Sequence, residues 1–365
     1  MERVKILDYN HLVHKYVRSP NIDRLFTTVN NIGIPQRIET TIPAYTIKEI
    51  HRIAQKGYAR IGVCFDSPCK YRKDYFSKDV NGKDADVGYK SGRVGFKSDI
   101  FEQIELTQTL LYNSGVSIYK MQDYEADDLV YSLVNVTQRE TPDAHIDIYT
   151  NDADLLPLVS DKVSVFIRNK RMTWAETKDL ERRGYWQVTP YNYSEFCEGL
   201  SKMKKFDIPY NTVLLFKLLR GDETDCIPKQ TNPVTGRSDY PPKVYNELVD
   251  ILACDNINKR IAEGLLDTLP YATGGFDETR NRILSFYDTE TGFLDLGKVF
   301  RYGDDVQLDA ICDIMGEYVE DTDIQHIRYV FKGMNLRHLE LYPINHYQPG
   351  KLAGELSKLQ INLPM

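Results

Sequence analysis

The 365-residue chain contains no apolar run that approaches the roughly 18 residues of a membrane-spanning helix. Its six cysteines form no CxxC pair, and no histidines follow them at zinc-finger spacing, so the sequence indicates neither a zinc site nor a disulfide framework. The start Met1-Glu2-Arg3-Val4 lacks the charged-then-apolar layout of a secretory signal. We therefore expect a soluble, cytoplasmic protein.

Several common catalytic motifs are also absent. The sequence has no Walker-type GxxxxGK[ST], no GxGxxG, no GxSxG and no HExxH. These absences argue against P-loop and dinucleotide binding, an α/β-hydrolase nucleophile and a zinc peptidase. A net charge of −7 counts against nucleic-acid binding for the chain as a whole, although it hides how the charges are distributed.

What the sequence does contain is a set of acidic residues placed after apolar runs. The runs at 4–7, 61–65 and 146–149 are typical of short buried strands, and an aspartate follows each within three residues. Parallel strands would bring these carboxylates to one edge of a sheet, where open α/β folds bind ligands. Five short clusters supply the candidate metal ligands, which are Asp8, Asp66, Glu125, Asp127, Asp128, Asp152, Asp154, Asp222 and Asp225.

Carboxylates that share a poorly solvated crevice repel one another unless a counter-charge is present. Hard divalent cations would supply it, because every candidate ligand is a carboxylate oxygen. Each cluster alone has a structural alternative: the acids at 125–128 and 152–154 can cap helices, and Gly221-Asp222 can form a turn. Their joint occurrence in this order favours a two-metal site for phosphodiester hydrolysis.

A basic stretch separates the strand that ends at Phe65 from a helical run that includes Ile100. Its glycines and its lack of apolar periodicity predict that it buries little of itself and forms a mobile insertion at the sheet edge. Beside an acidic crevice such cations suit a polyanionic substrate, whereas four interrupting aspartates favour a solvated loop as the alternative. The stretch carries Lys70, Arg72, Lys73, Lys78, Lys83, Lys90, Arg93 and Lys97.

Six segments resemble the structure-specific 5′ nucleases, the flap endonuclease and 5′-3′ exonuclease family, in particular its stand-alone phage enzymes and the 5′ nuclease domain of bacterial DNA polymerase I. In order they are ILD at 6–8, CFD at 64–66, YKSGR at 89–93, YEADDL at 124–129, TNDADLL at 150–156 and LRGDETDCIP at 219–228. The resemblance covers roughly residues 1 to 230.

This resemblance implies a PIN-like α/β fold with a mixed, mostly parallel sheet and helices on both faces. A basic arch insertion and a mainly helical C-terminal region with a modified helix-three-turn-helix module would complete it. The implied domains are an α/β nuclease domain over 1–200, with the arch at about 70–98, and a helical DNA-binding and C-terminal region over 201–365.

The resemblance also implies roles for the acidic residues. Four would hold the catalytic metal: Asp8, Asp66, Glu125 and Asp127. Three would hold the second: Asp152, Asp154 and Asp225. Asp128 and Asp222 would support the pair. Two Mg²⁺ ions are expected, with Mn²⁺ able to substitute, and Lys90 and Arg93 match the catalytic basic residues that steer and polarise the scissile phosphate.

The chain departs from the family pattern after Pro228. Relatives continue with a glycine-rich hairpin that grips duplex phosphates with backbone amides and a potassium ion, whereas here the hairpin is altered or replaced. Whether the chain binds K⁺ therefore stays open. Beyond about residue 265 we expect helices that complete the second domain. The candidate nucleic-acid contacts are Lys70, Arg72, Lys73, Tyr89, Lys229, Arg237 and Lys243.

The implied activity is cleavage near DNA 5′ ends, as a 5′-3′ exonuclease and 5′-flap endonuclease in replication, with RNA primer removal by the same chemistry. The implied partners are DNA with a 5′ flap, gap or free 5′ end, RNA–DNA hybrid and replication proteins. No membrane is involved, and a monomer in the cytoplasm, that of the host if phage-encoded, is expected. A PIN-type single-strand RNA endonuclease and a non-catalytic nucleic-acid-binding scaffold stay open as alternatives.

Overall fold

The structure, a computed structural model, describes residues 2–17, 27–29, 35–37, 41–54, 60–79, 81–85, 88–92, 96, 98–167, 185–203, 226, 287–288, 293–294, 321–346, 351 and 354. The chain divides into two compact units. The first comprises residues 1–69, 94–190 and 337–365, and the second comprises residues 70–93 and 191–336. Among the described residues, no helix is both long enough and apolar enough to cross a membrane.

The described elements are numbered in chain order. The strands are β1 (Arg3–Asp8), β2 (Thr27–Val29), β3 (Pro35–Arg37), β4 (Arg60–Cys64), β5 (Ser117–Tyr119), β6 (His145–Thr150), β7 (Val163–Ile167), β8 (Trp186–Val188), β9 (Tyr287–Asp288) and β10 (Phe293–Leu294). The helices are α1 (Tyr9–Val17), α2 (Thr41–Ala54), α3 (Lys70–Tyr75), α4 (Ser98–Asn113), α5 (Ala126–Glu140), α6 (Tyr193–Met203) and α7 (Asp321–Met334), with a 3₁₀ helix at Ala153–Leu158.

A six-stranded sheet forms the centre of the first unit, in the order β5-β4-β1-β6-β7-β8. The strands from β5 to β7 are parallel, and β8 pairs with β7 in the antiparallel direction. In this register Asp8 pairs with Cys64 of β4, and Leu7 pairs with Tyr149 of β6. The carboxyl ends of β1, β4 and β6 therefore lie side by side at one edge of the sheet.

Helices cover both faces of this sheet. One face carries Leu7, Ile61 and Val63, which form one buried cluster with residues of α2 and α4. On the other face α5 packs against β1, β4 and β6, because successive strand residues point to opposite sides. The predicted mixed, mostly parallel sheet with helices is confirmed.

Residues 337–346, which we call the C-terminal strap, belong to the first unit although they come late in the chain. Ile344 is buried and packs over β4 at Gly62, where a side chain would lie only 2.9 Å from its Cδ1 atom. The Tyr119 hydroxyl donates to the Tyr342 carbonyl at 3.0 Å. We expected helices of the second domain beyond about residue 265. Helix α7 of the second unit lies in that region, whereas the strap is not helical and belongs to the first unit. The predicted boundary near residue 200 stays a prediction.

The second unit contains part of the basic stretch, packed against α7. Phe76 and Tyr89 form a buried cluster with Val330 of α7, and the rings of Tyr75 and Tyr329 stack with centroids 5.2 Å apart. The expectation that this stretch buries little of itself holds for most of its described residues, which are exposed, and fails at Arg72, Phe76 and Tyr89, which are buried. Phe76 and Tyr89 pack on each other within the stretch, and Val330 of α7 completes their buried cluster.

Candidate active site

Asp8, the last residue of β1, is buried at the acidic edge of the sheet. The Thr150 hydroxyl donates to its Oδ2 at 2.9 Å, and the backbone N–H of Asn10 donates to its Oδ1 at 3.1 Å. Burial, followed by the negative charges of Asp66 and Asp152, raises the pKa of the Asp8 carboxyl to about 7, although these two hydrogen bonds lower it. A bound cation would offset both the burial and the repulsion.

Asp66 follows β4 and lies beside the same asparagine. The Asn10 side-chain amide donates to Asp66 Oδ2, and the backbone N–H of Ala126 donates to Asp66 Oδ1 at 2.6 Å. Ala126 is the first residue of α5, so this carboxylate lies at the positive end of a helix, where negative charge is favoured. Asn10 therefore contacts both Asp8 and Asp66 and links the ends of two neighbouring strands.

The start of α5 supplies two more predicted ligands. Glu125 is buried as the N-cap residue, and Asp127 is half-buried in the first turn. Burial and then the charges of Asp8, Asp127 and Asp66 raise the pKa of the Cys64 thiol well above its usual value. Three carboxylates from three chain segments thus act on one thiol at the end of β4.

Asp152 and Asp154 lie at the beginning of the 3₁₀ helix that follows β6. The Asp152 backbone N–H donates to the Thr150 hydroxyl at 2.9 Å, and Asp152 Oδ1 accepts from the Asp154 backbone N–H at 2.9 Å. Asp152 is exposed and Asp154 is half-buried. Asp152 therefore caps its helix while its charge still acts on Asp8, so capping and membership of the acidic site coexist in one residue.

Asp128 differs from these acids because its carboxylate is fully buried and turned toward protein donors. Its Oδ2 accepts from the Glu125 backbone N–H at 3.2 Å, and its Oδ1 accepts from the Arg337 backbone N–H at 2.9 Å. The Arg337 guanidinium also lies 3.5 Å from Oδ2. These contacts stabilise the first turn of α5 from inside the protein.

The predicted nucleic-acid contacts on α3 fall into two groups. Lys70 and Lys73 are exposed. Arg72 is buried, and its Nε and Nη2 donate to the carbonyls of Gly333 at 3.3 Å and Asn335 at 3.2 Å. A buried guanidinium needs such partners. Arg72 therefore ties α3 to the end of α7 rather than presenting its charge to a phosphate, which corrects the prediction for this residue.

Tyr89 and Lys90 lie together in the second unit. Tyr89 is buried and stacks on Phe76 with ring centroids 5.4 Å apart. Lys90 is half-buried with a left-handed backbone (φ 55), and its Nζ lies 5.0 Å from the centre of the Tyr89 ring. The remaining predicted site residues lie outside the described ranges: Arg93, Asp222, Asp225, Lys229, Arg237 and Lys243.

The donor chemistry of the acidic edge fits a hard divalent cation, because its predicted ligands are all carboxylates. Within the ranges that the structure describes, no three acidic, histidine or cysteine side chains are grouped closely enough to hold a metal ion. Asp8 and Asp66 instead accept hydrogen bonds from protein donors. Metal ligation by the named residues stays a prediction.

Three residues of this site were not foreseen from the sequence: Asn10, Thr150 and Arg337. Asn10 and Thr150 each lie two residues from a predicted ligand, and that proximity is a signal that could have identified them. Arg337 lies 209 residues from Asp128 in the chain, and no local pattern marks it.

Known proteins resemble about half of the chain. Residues 7–184 match the family described as 5′-3′ exonuclease, N-terminal resolvase-like domain. DNA polymerase I of Mycobacterium leprae is 25% identical over 189 residues, which are 50% of this chain and 17% of that protein. The 5′-3′ exonuclease of Mycoplasma pneumoniae is 29% identical over 186 residues, which are 49% of this chain and 56% of that protein. The chain thus spans less than two thirds of either relative.

A solved structure of the T5 5′-exonuclease with divalent zinc ions bound is also similar. The alignment covers 91% of this chain and 99% of that one, with a TM-score of 0.42 and 13% sequence identity.

Proposed function

Because residues 7–184 match the model of the family described as 5′-3′ exonuclease, N-terminal resolvase-like domain, we propose that the chain is a divalent-metal-dependent 5′-3′ exonuclease and 5′-flap endonuclease. It would hydrolyse phosphodiester bonds near the 5′ ends of DNA, at flaps, gaps and free ends, and would remove RNA primers in replication. The convergence of Asp8, Asp66 and Asp127 at the carboxyl edge of a parallel sheet carries the proposal.

Two Mg²⁺ ions, with Mn²⁺ as a substitute, suit these all-carboxylate donors. Such ions supply an activated water and stabilise the attacking and leaving oxygens of the phosphate. One ion would be held by Asp8, Asp66, Glu125 and Asp127, and the other by Asp152, Asp154 and Asp225.

The protein's own contribution is to gather and orient the carboxylates. Asn10 contacts Asp8 and Asp66 together, and Thr150 fixes the second oxygen of Asp8. With the metals in place, phosphodiester hydrolysis needs no nucleophilic side chain.

Basic side chains of the second unit would engage the DNA backbone. Lys70 and Lys73 are exposed cations on α3, and exposed cations attract phosphates in a salt-dependent manner. Lys90 and Arg93 are proposed to position the scissile phosphate by the family resemblance. Lys90 is the member of this pair that the structure describes, with its ammonium over the Tyr89 ring.

One experiment separates this function from its alternatives. A labelled 5′-flap duplex, a single-stranded RNA and a blunt duplex are incubated with the protein, with and without Mg²⁺. We expect cleavage of the flap duplex that EDTA abolishes and Mn²⁺ restores. Preferential RNA cleavage would instead favour the PIN-type endonuclease, and tight binding with no cleavage of any substrate would favour the scaffold. Full hydrolysis in EDTA would contradict metal dependence.

A ligand substitution adds a second test. Asp127→Asn should lower the single-turnover rate by orders of magnitude, because the proposed metal site loses a ligand. Its affinity for flap DNA should hold or improve, because the site loses negative charge near the phosphates. A variant that cleaves at the wild-type rate would return Asp127 to a helix-capping role.

A further inference from the structure

The C-terminal strap lies alongside α5, the helix whose first turn carries predicted metal ligands. The backbone N–H of Arg337 donates to Asp128 in the first turn of α5, and the backbone N–H of Leu339 donates to the Ser132 hydroxyl one turn later at 2.9 Å. The Ser132 hydroxyl in turn donates to the Asp128 carbonyl at 2.7 Å. The strap is thus hydrogen-bonded to the first two turns of α5.

The Arg337 side chain contacts the chain on both sides of Glu125. Its Nη2 donates to the carbonyl of Asp123, and its guanidinium lies 4.2 Å from the centre of the Tyr124 ring. The same Nη2 lies 3.5 Å from Asp128 Oδ2. Asp123 has a left-handed backbone (φ 68), an uncommon conformation for a residue other than glycine. The Arg337 side chain therefore holds the turn that contains Glu125 and Asp127 at both ends, at Asp123 and at Asp128.

The charge of Arg337 matters for a second reason. The turn contains Glu125, Asp127 and Asp128, and three acids in one helical turn repel one another. Asp128 is fully buried, so its charge needs a partner inside the protein. Arg337 supplies that partner, so the buried charge of Asp128 is paired inside the protein.

We propose that Arg337 is a positioning residue that holds the turn from Asp123 to Asp128 so that Glu125 and Asp127 can serve as metal ligands. The inference rests on the proposed function, because that proposal makes these two acids ligands. Arg337 acts only through the groups that it contacts, and it lies beyond the 7–184 region that matches the nuclease family.

The test compares Arg337→Ala and Arg337→Lys with the wild-type chain. Mn²⁺ affinity is measured by electron paramagnetic resonance in the absence of DNA, and single-turnover cleavage of flap DNA is measured against Mg²⁺ concentration. The Mn²⁺ dissociation constant of Arg337→Ala should rise about tenfold or more, as for other groups that orient metal ligands. Arg337→Lys should show a smaller rise, because lysine keeps the charge but loses the planar fork of donors.

Excess Mg²⁺ should restore much of the cleavage rate of Arg337→Ala, while its KM for flap DNA changes little. Arg139→Ala is the matched control, because it removes an exposed ion pair between the same helix and Glu340 of the strap. That variant should bind Mn²⁺ as the wild type does.

Wild-type Mn²⁺ affinity in Arg337→Ala, an equal loss in Arg139→Ala, or a wild-type chain that binds no Mn²⁺ would each overturn the inference. If Arg337→Ala does not fold, Arg337→Lys provides the test. A lysine variant with the Mn²⁺ affinity and the Mg²⁺ requirement of the wild type would overturn the inference. A wild-type chain that binds Mn²⁺ but cleaves none of the substrates would end the proposed function alone, since the effect of Arg337 is read from Mn²⁺ affinity.

Discussion

Replacing Asp128 with alanine tests whether two adjacent acids have different roles. The buried carboxylate accepts from the backbone N–H groups of Glu125 and Arg337 and pairs with the Arg337 guanidinium. A buried donor left without its acceptor costs about 1–3 kcal/mol, and removing one side of a buried ion pair costs about 3–5 kcal/mol. These two costs overlap, so they are not added together. The Arg337 side chain is also 22% exposed and donates to the Asp123 carbonyl, so it keeps other partners. We expect the free energy of unfolding to fall by about 3–5 kcal/mol.

Asp127→Ala is the matched comparison one residue away. Asp127 is half-buried, and its charge contributes to the raised pKa of the Cys64 thiol. Its removal takes one negative charge out of an acidic group, so the free energy of unfolding should stay within about 0.5 kcal/mol of wild type. Its cleavage rate should nevertheless collapse, because it is a proposed metal ligand.

The assay is urea unfolding followed by circular dichroism in EDTA, together with single-turnover cleavage of a flap duplex. The midpoints are comparable where the denaturant slope m is the same for all variants. An Asp128→Ala protein as stable as wild type would refute the structural role of Asp128. An equal loss of stability in both variants would refute the division of roles between them.

The pH dependence of stability should report on Asp8, whose pKa of about 7 in the folded protein exceeds the ordinary 3.8. Between these two values the folded state holds a proton that the unfolded chain has lost, so the free energy of unfolding should fall as pH rises from about 4 to about 7. Urea titrations in EDTA should show a flatter dependence of this free energy on pH for Asp8→Asn. Gly62→Ala should cost about 1–3 kcal/mol in the same assay, because its Cβ would lie 2.9 Å from Ile344 Cδ1, and Ile344→Val should recover part of that loss in the double variant. Lys90→Ala should depress single-turnover cleavage with a smaller loss of affinity, whereas Lys70→Ala should mainly weaken binding and its salt dependence; an undiminished rate for Lys90→Ala would remove it from the proposed machinery.

The parts of the site that could be predicted are those with local causes. The strand that ends at Asp8 and the strand before Asp66 are apolar runs that stop at a charge, and both are found where predicted. The helix after Glu125 begins as expected, because its acids favour a helix N-terminus and its apolar residues recur at helical spacing. Such signals lie within a few residues of the feature that they predict.

The contacts that could not be predicted join distant parts of the chain through backbone atoms. Arg72 donates to the carbonyl of Gly333, 261 residues away, and Asp128 accepts from the N–H of Arg337, 209 residues away. Every residue carries a backbone carbonyl and every residue except proline a backbone N–H, so the backbone partner leaves no pattern in the sequence. A lysine or arginine in a basic stretch therefore looks the same whether it faces solvent or lies buried.

Helix capping and metal ligation were competing explanations for the acids at 125–128. The structure shows capping contacts between Glu125 and Asp128, whereas metal ligation by Glu125 and Asp127 stays a prediction. Backbone N–H groups at the start of α5 donate to acids from two segments of the chain. The Ala126 N–H donates to Asp66, and the Glu125 N–H donates to Asp128. The positive end of the helix thereby lowers the repulsion among carboxylates that the sheet edge brings together. Folding of this turn and assembly of the acidic site consequently depend on the same backbone donors. A loss of cleavage in any variant of the turn identifies a ligand only when its stability in the absence of metal is unchanged.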